Sequence, residues 1–242
     1  MSYKEEEWGY SPYNDLNRFE NLDGIETKIV EHMINSNTKH AELFWKLLKY
    51  NDLSALSQNS VSKDERRKLV NNDNGEPTNK RVFFAPYIDD AQEVQCSSVY
   101  IYVEKIIPVD QTRAIIGVTI DTITHTKISA ISGDGDPDAS DNPEQVNPNE
   151  TDEQGSIVVP FKSRETVLVK CILAELNGIY LDGIGYLQFN TIKNPLVTNG
   201  TVGASAGNSC VEMPYFHKSV YGHRIRFQVE FSGISDNPNI GY

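Results

Sequence analysis

The sequence predicts an α+β protein: a small mixed or antiparallel β-sheet of ββαββ order covered by one helix, with an N-terminal helical arm and long loop insertions. Three observations predict it. A helical pattern and a strand pattern stand back to back between Ser163 and Phe189. Two runs rich in β-branched and aromatic residues, at 98–107 and 113–125, precede them. The last strand alternates without a fault, with His223, Ile225, Phe227, Val229 and Phe231 on one side and Arg224, Arg226, Gln228 and Glu230 on the other. A helix with one apolar stripe needs a sheet face to bury it, and the strands flank this helix on both sides in sequence.

The elements follow in chain order. Residues 1–20 hold Trp8, Tyr10, Tyr13 and Phe19 without a regular period, which suggests a segment that docks on another surface, the body's own or a neighbouring subunit's. From Ile25, the apolar residues Ile29, Val30, Met33 and Ile34 give a helix that stops at Asn35-Ser-Asn37. Thr38 opens a second helix carrying Leu43, Phe44, Leu47 and Leu48, ended by Asn51-Asp52. Ser62-Lys-Asp-Glu65 is a capping box that opens a third, running to Val70. After a loop at 71–79 and the run Val82-Phe-Phe-Ala-Pro-Tyr87, an acidic turn at Asp89-Asp90 leads into the strands. Pro108-Val-Asp-Gln-Thr112 between the first two strands makes them an antiparallel hairpin. In the second of them Ile116, Val118, Ile120 and Thr122 oppose Thr119 and Asp121. A short strand is expected at 157–161, and then Ser163 caps the central helix, whose stripe is Val167, Leu168, Cys171 and Ile172. Asn177-Gly178 supplies a left-handed stop, and residues 183–189 alternate as a strand. A second loop at 190–219, with Gly200, Gly203, Gly207 and Pro214, precedes the final strand. The expected division is an arm and helical region at 1–80 and an α+β domain at 81–242, with insertions at 133–156 and 194–219. One helix leaves the other sheet face, or the sheet edges, to be buried by the N-terminal helices or a neighbouring subunit.

At 242 residues the chain can bury a sizeable core without disulfides or metals. Cys96, Cys171 and Cys210 are odd in number and lack CxxC spacing, so reduced thiols are expected, with Cys171 in the core. The N-terminal residues contain no apolar run and no stretch approaches membrane-span length, so neither a signal peptide nor a membrane partner is expected. The net charge of −12 argues against binding nucleic acid through phosphates. Eight carboxylates lie between Asp134 and Glu153 with no Lys or Arg among them, so this loop, including Asp134, Asp136, Asp138 and Asp141, carries most of the excess.

The chemical motifs are weak. Asp134-Gly-Asp-Pro-Asp138 resembles the start of a calcium loop, but Ala139 and Gln145 stand where Gly and a bidentate Glu are required. No pair among His32, His40, His125, His217 and His223 has the spacing of a helical metal site. The Gly-rich run 200–207 lacks the Lys and following helix of a phosphate cradle. No catalytic residue, cofactor or metal is assigned, and the expectation is a protein without enzymatic activity. Arg224 and Arg226, with Lys218 nearby, form the one basic cluster and a candidate contact for an acidic neighbouring surface.

Three segments together carry a resemblance: the helical stretch 25–56 with Phe44-Trp-Lys-Leu-Leu-Lys-Tyr50-Asn-Asp-Leu53, the segment Arg81-Val-Phe-Phe-Ala-Pro-Tyr-Ile-Asp-Asp90, and Gly222-His-Arg-Ile-Arg-Phe227. The arrangement resembles the neck and head-tail connector proteins of tailed bacteriophages, and the ββαββ body resembles tail terminators and head-tail joining proteins. That resemblance implies a virion structural protein, assembled in the host cytoplasm, that forms a homo-oligomeric ring, a hexamer sooner than a dodecamer. The ring would join adjacent connector, portal or tail tube proteins and leave a conduit through which DNA passes without specific binding. Alternatives are another ring of the same particle, such as a portal-proximal adaptor or tail tube component, or a small enzyme or ligand-binding domain with a site near Tyr215, His217 and His223.

Overall fold

A computed structural model describes residues 24–71, 79–86, 94–108, 113–132, 161–182, 184–189, 210–212 and 219–232. Strands β2 (Ser97–Pro108) and β3 (Arg113–His125) pair antiparallel along their lengths, with one bulge between Val103 and Lys105. On the other side of β3 lies β9 (Val220–Ser232), also antiparallel and in register from Arg113↔Ser232 to His125↔Val220. The short strand β1 (Val82–Phe83) runs parallel to β2 at one end of the sheet. At the other end β7 (Gly185–Phe189) pairs β9 and carries β6 (Ile179–Leu181) beyond it, while β8 (Cys210–Glu212) pairs the same edge of β9 nearer its start. The result is a seven-stranded mixed sheet, β1-β2-β3-β9-β7-β6, with β8 off that path.

Alternation decides what each face buries. Ile116, Val118 and Ile120 of β3 meet Ile225, Phe227 and Val229 of β9 beneath the helices, all of them buried. Fully burying side chains of this size contributes about 1.5–3 kcal/mol each. The second face of β3 is buried as well: Ile115, Thr119, Asp121 and Ile123 are all inaccessible. The pattern of a half-solvated strand therefore understates what β3 buries. At Gly222 the strands approach so closely that a Cβ would overlap the Thr122 backbone oxygen.

Four α-helices cover the inner face among the described residues. Helix α1 (Ile25–Asn35) buries Ile29, Val30, Met33 and Ile34. Helix α2 (Lys39–Lys49) starts where the Thr38 side chain accepts from the Ala41 amide, and it buries Phe44, Trp45, Leu47 and Leu48. The Trp45 indole N–H donates to the Met33 carbonyl at 2.9 Å, tying the two helices together. Helix α3 (Lys63–Lys68) has the complete capping box of Ser62 and Glu65. Its Arg66 guanidinium donates to the carbonyls of Ile34 and Ser36, filling acceptors left over at the end of α1, and to that of Val61 just before α3. Helix α4 (Arg164–Leu176) is capped by Ser163 and lies across the sheet with Val167, Leu168, Cys171, Ile172 and Leu176 buried. The apolar stripes of α1, α2 and α4 and the inner face of the sheet join one apolar core, to which the residues flanking α3, Val61 and Val70, also belong.

The described strands differ from the ββαββ order in number and place. Of the strand expected at 157–161, residues 157–160 lie outside the described residues; β5 (Phe161–Ser163) takes up Phe161, pairs β4 (Ala130–Ser132) in a separate two-stranded sheet and runs directly into α4. The strand expected at 183–189 is the second arm of a hairpin. Gly178, at φ 82°, turns the chain out of α4, so Ile179 to Leu181 pair back onto Leu187 to Gly185. Neither β1 nor β8 was expected, since two or three residues give no period to read.

Candidate functional site

Register brings charges together on the outward face of the sheet. Arg224 lies opposite Asp121, and Arg226 opposite Thr119. The Arg224 guanidinium donates from Nε and Nη2 to the two oxygens of Asp121, both at 2.8 Å, and the Tyr102 hydroxyl donates to the same carboxylate at 3.1 Å. Arg226 donates to Glu104 at 3.0 and 3.4 Å, and Thr119 adds its hydroxyl at 2.6 Å. The bulge between Val103 and Lys105 leaves Glu104 as the extra residue of β2, unpaired on β3, and there it meets Arg226. Asp121 is fully buried and Arg224 about one third exposed, so the pair sits in a low-dielectric setting with its outer side wet.

The electrostatics follow from these contacts. Hydrogen bonding to Asp121 outweighs desolvation and raises the Arg224 guanidinium above its usual range. Burial, and then the negative charge of Asp121, push the Tyr102 hydroxyl well up, so it stays a donor. Burial acts to raise Glu104, but the hydrogen bonds from Arg226 and Thr119 win and hold it below the ordinary carboxylate range. The face thus presents two fixed ion pairs. Farther along it, Gln228 pairs across to Gln188 of β7, two residues from the exposed Tyr186.

A second polar group lies inside, pinned by α4. Glu165, in its first turn and fully buried, accepts from the hydroxyls of Thr122 and Thr124, and Thr124 lies 3.1 Å from Ser97 Oγ. The His223 imidazole Nδ1 is 3.5 Å from the Glu165 carboxylate. At the other end of the helix Glu175 accepts from the Ser36 and Thr38 hydroxyls, with His32 Nε2 at 3.9 Å. Arg164, also fully buried, donates to the carbonyls of Ile128, Leu47, Tyr50 and Asp52 at 2.7–2.9 Å. Cys210 stands near this group, and burial followed by the charge of Glu165 pushes its thiol up. That direction keeps the thiol protonated, which is unfavourable for a nucleophile.

Of the residues singled out by sequence, Arg224 and Arg226 are brought together here, each already bonded to a carboxylate of its own chain. Trp8, Tyr10, Tyr13, Phe19, Asp134, Asp136, Asp138 and Asp141 lie outside the described residues, as do Tyr215 and His217. Sequence reasoning missed Glu104, Tyr102, Glu165 and Glu175. Their only signal was a polar residue at a position where neighbouring pattern predicts burial, and the partners are 15 to 139 residues away. Among the described residues, no group of three or more His, Cys, Asp or Glu could hold a metal ion, and no helix is long and apolar enough to cross a membrane. Compared with protein-family models, with curated proteins and with solved structures, the chain matches none.

Proposed function

We propose that this chain is a structural subunit of a tailed bacteriophage, forming a homo-oligomeric ring at the head-tail junction and leaving a passage for DNA. On this reading β2, β3, α4, β7 and β9 are the ββαββ body of a tail terminator-like fold, and the other strands are additions to it. The observation that carries it is the edge of the sheet at β2. That strand is 12 residues long, yet β1 pairs only with Val99 and Tyr100. The Val103 amide donates to the Glu26 carboxylate at 3.1 Å, a side chain standing in for a missing strand. Past the bulge, Ile106 is 44% exposed and no described strand covers that side. A long edge strand with an exposed apolar residue is what a closed ring of copies covers.

The test is the mass of the purified chain in solution by light scattering, followed by negative-stain imaging alone and with virion partners. Closed rings are expected, dissociating to the 27.2 kDa subunit when Ile106→Glu places a charge on the edge. Six copies fit the terminator reading, and twelve would move the chain to the portal-proximal adaptor. A strict monomer that never joins a particle overturns the proposal.

A further inference from the structure

A cyclic ring of more than two copies closes only head to tail, so the surface that covers β2 is a different one, elsewhere on the same chain. On the described strands, the large apolar side chains left exposed are Ile106 of β2 and the cross-strand pair Tyr180 and Tyr186 of β6 and β7. The strand order puts them at opposite ends of one sheet: β2 has only the short β1 beyond its start, and β6 is last at the other side. Both edges are open over a similar length. Glu26 takes up the Val103 amide, which leaves the stretch from Lys105 to Pro108 on β2. No described strand pairs the outer side of Ile179 to Leu181.

We propose that the β6 edge of one copy, with its two tyrosines, lies along the open half of β2 in the next copy. This inference rests on the ring reading and adds the surface that covers the edge. Strand alternation lets the two sheets run into one another with like side chains on each face. On the helix-covered face Ile106, which pairs Ile116, comes beside the half-buried Ile179, which pairs Leu187. On the outward face the tyrosines come beside Lys105 and Ile107, which pair Gly117 and Ile115. Tyr180 and Tyr186 are 55% and 58% exposed, and their rings meet edge to face with 5.1 Å between centroids. Amphipathic aromatic surface of this kind is what interfaces concentrate. The charges agree as well. Lys105 has no carboxylate partner among the described residues, and Glu104 beside it is held by Arg226. The tyrosine end carries the exposed residues Asp182 and Glu230, so a cationic edge meets an acidic one.

The experiment weighs, by light scattering, two full-chain variants each blocked at one end: Ile106→Glu on β2 and Tyr180→Glu on β6. Wild type is expected as rings and each variant alone as the 27.2 kDa subunit. Their equimolar mixture is expected to give a pair, one copy of each and nothing larger, because each variant supplies the end that the other lacks. Melting curves establish that each variant folds; should either fail, Ile106→Lys and Tyr186→Glu take their places. Where wild-type rings form only beside virion partners, loss of each variant from the ring is the readout. Rings or pairs formed by Tyr180→Glu alone, or a mixture that stays at the subunit mass, overturn this inference and leave the ring reading standing on the wild-type result. A wild-type chain that stays a monomer and never joins a particle overturns both.

Discussion

Arg164 offers the sharpest test of how this fold is held. Its side chain is fully buried, carries no carboxylate partner among its hydrogen bonds, and spends its donors on four backbone carbonyls. Three of those, Leu47, Tyr50 and Asp52, lie where α2 ends and the chain turns away, so one guanidinium caps α2 from a different helix. Replacing it with Met preserves approximate volume and removes every donor. The bonds to Ile128 and Leu47 are buried, and each acceptor left bare costs about 1–3 kcal/mol. Those to Tyr50 and Asp52 are part-buried, and water takes over there at little cost. Against this, the variant recovers the desolvation that pulls the Arg164 guanidinium below its ordinary value. The net loss expected for Arg164→Met is about 3 kcal/mol, a large part of the roughly 5–15 kcal/mol that holds a domain. Urea unfolding at neutral pH should show it as a lower midpoint with unchanged slope, and the melting temperature should fall by about 6–12 °C. Arg164→Lys, a point charge that cannot span the fork of acceptors, should recover only part of the loss. A loss under about 1 kcal/mol, or full recovery by Lys, would refute the view that these bonds hold α4 to the end of α2 and to Ile128.

Two further outcomes follow from the shifted groups. Glu65 is held at about 2 by hydrogen bonds from Lys49 and from the Ser62 amide. Its folded value lies below the ordinary 4.5, so the contribution to stability is present above that value and is lost as pH falls towards 2. An NMR titration of the Glu65 carboxyl carbon should give a midpoint near 2, moving up in Lys49→Met; a wild-type midpoint near 4.5 would contradict the pairing. Burial pushes the Cys171 thiol up to about 12, so at pH 8 iodoacetamide should label Cys210 well before Cys171 in the folded chain. Labelling of Cys171 at the rate of Cys210 would show that the α4 stripe opens in the native state.

The parts of this fold legible in sequence are those written in local rules. Thr38, Ser62 and Ser163 announce helix starts because a side-chain oxygen within three residues of an amide is a local event, and all three cap as the pattern predicts. The β9 alternation reads correctly at Ile225, Phe227 and Val229 for the same reason. What escaped depends on pairing between distant segments. The sequence places Thr119 and Asp121 on a face opposite the apolar one, and polarity there suggests water; the structure supplies Glu104 and Arg224 instead. Arg224 and Arg226 read as a basic cluster because their carboxylates come from strands more than 100 residues earlier. Arg164, Glu165 and Glu175 lie three or four residues from the apolar stripe and carry no local sign of a partner; each is buried at an end of α4, where neighbouring backbone and hydroxyls meet it.

The two buried carboxylates of α4 bear on when this molecule can become folded as well as on how it stays so. Glu165 finds its hydroxyls on β3, and Glu175 finds its own at the turn between α1 and α2, 137 and 139 residues earlier in the chain. An apolar stripe alone tolerates rotation and a one-turn slip, because grease meets grease in several registers. A helix pinned by a carboxylate at each end has one axial setting, since any other strands a charge in the interior. Neither end is satisfied until the β3–β9 pairing and the α1–α2 turn are both in place. Docking of α4 is therefore a late, all-or-none event that closes loops of 41 to 139 residues, and folding is expected to be slow and cooperative.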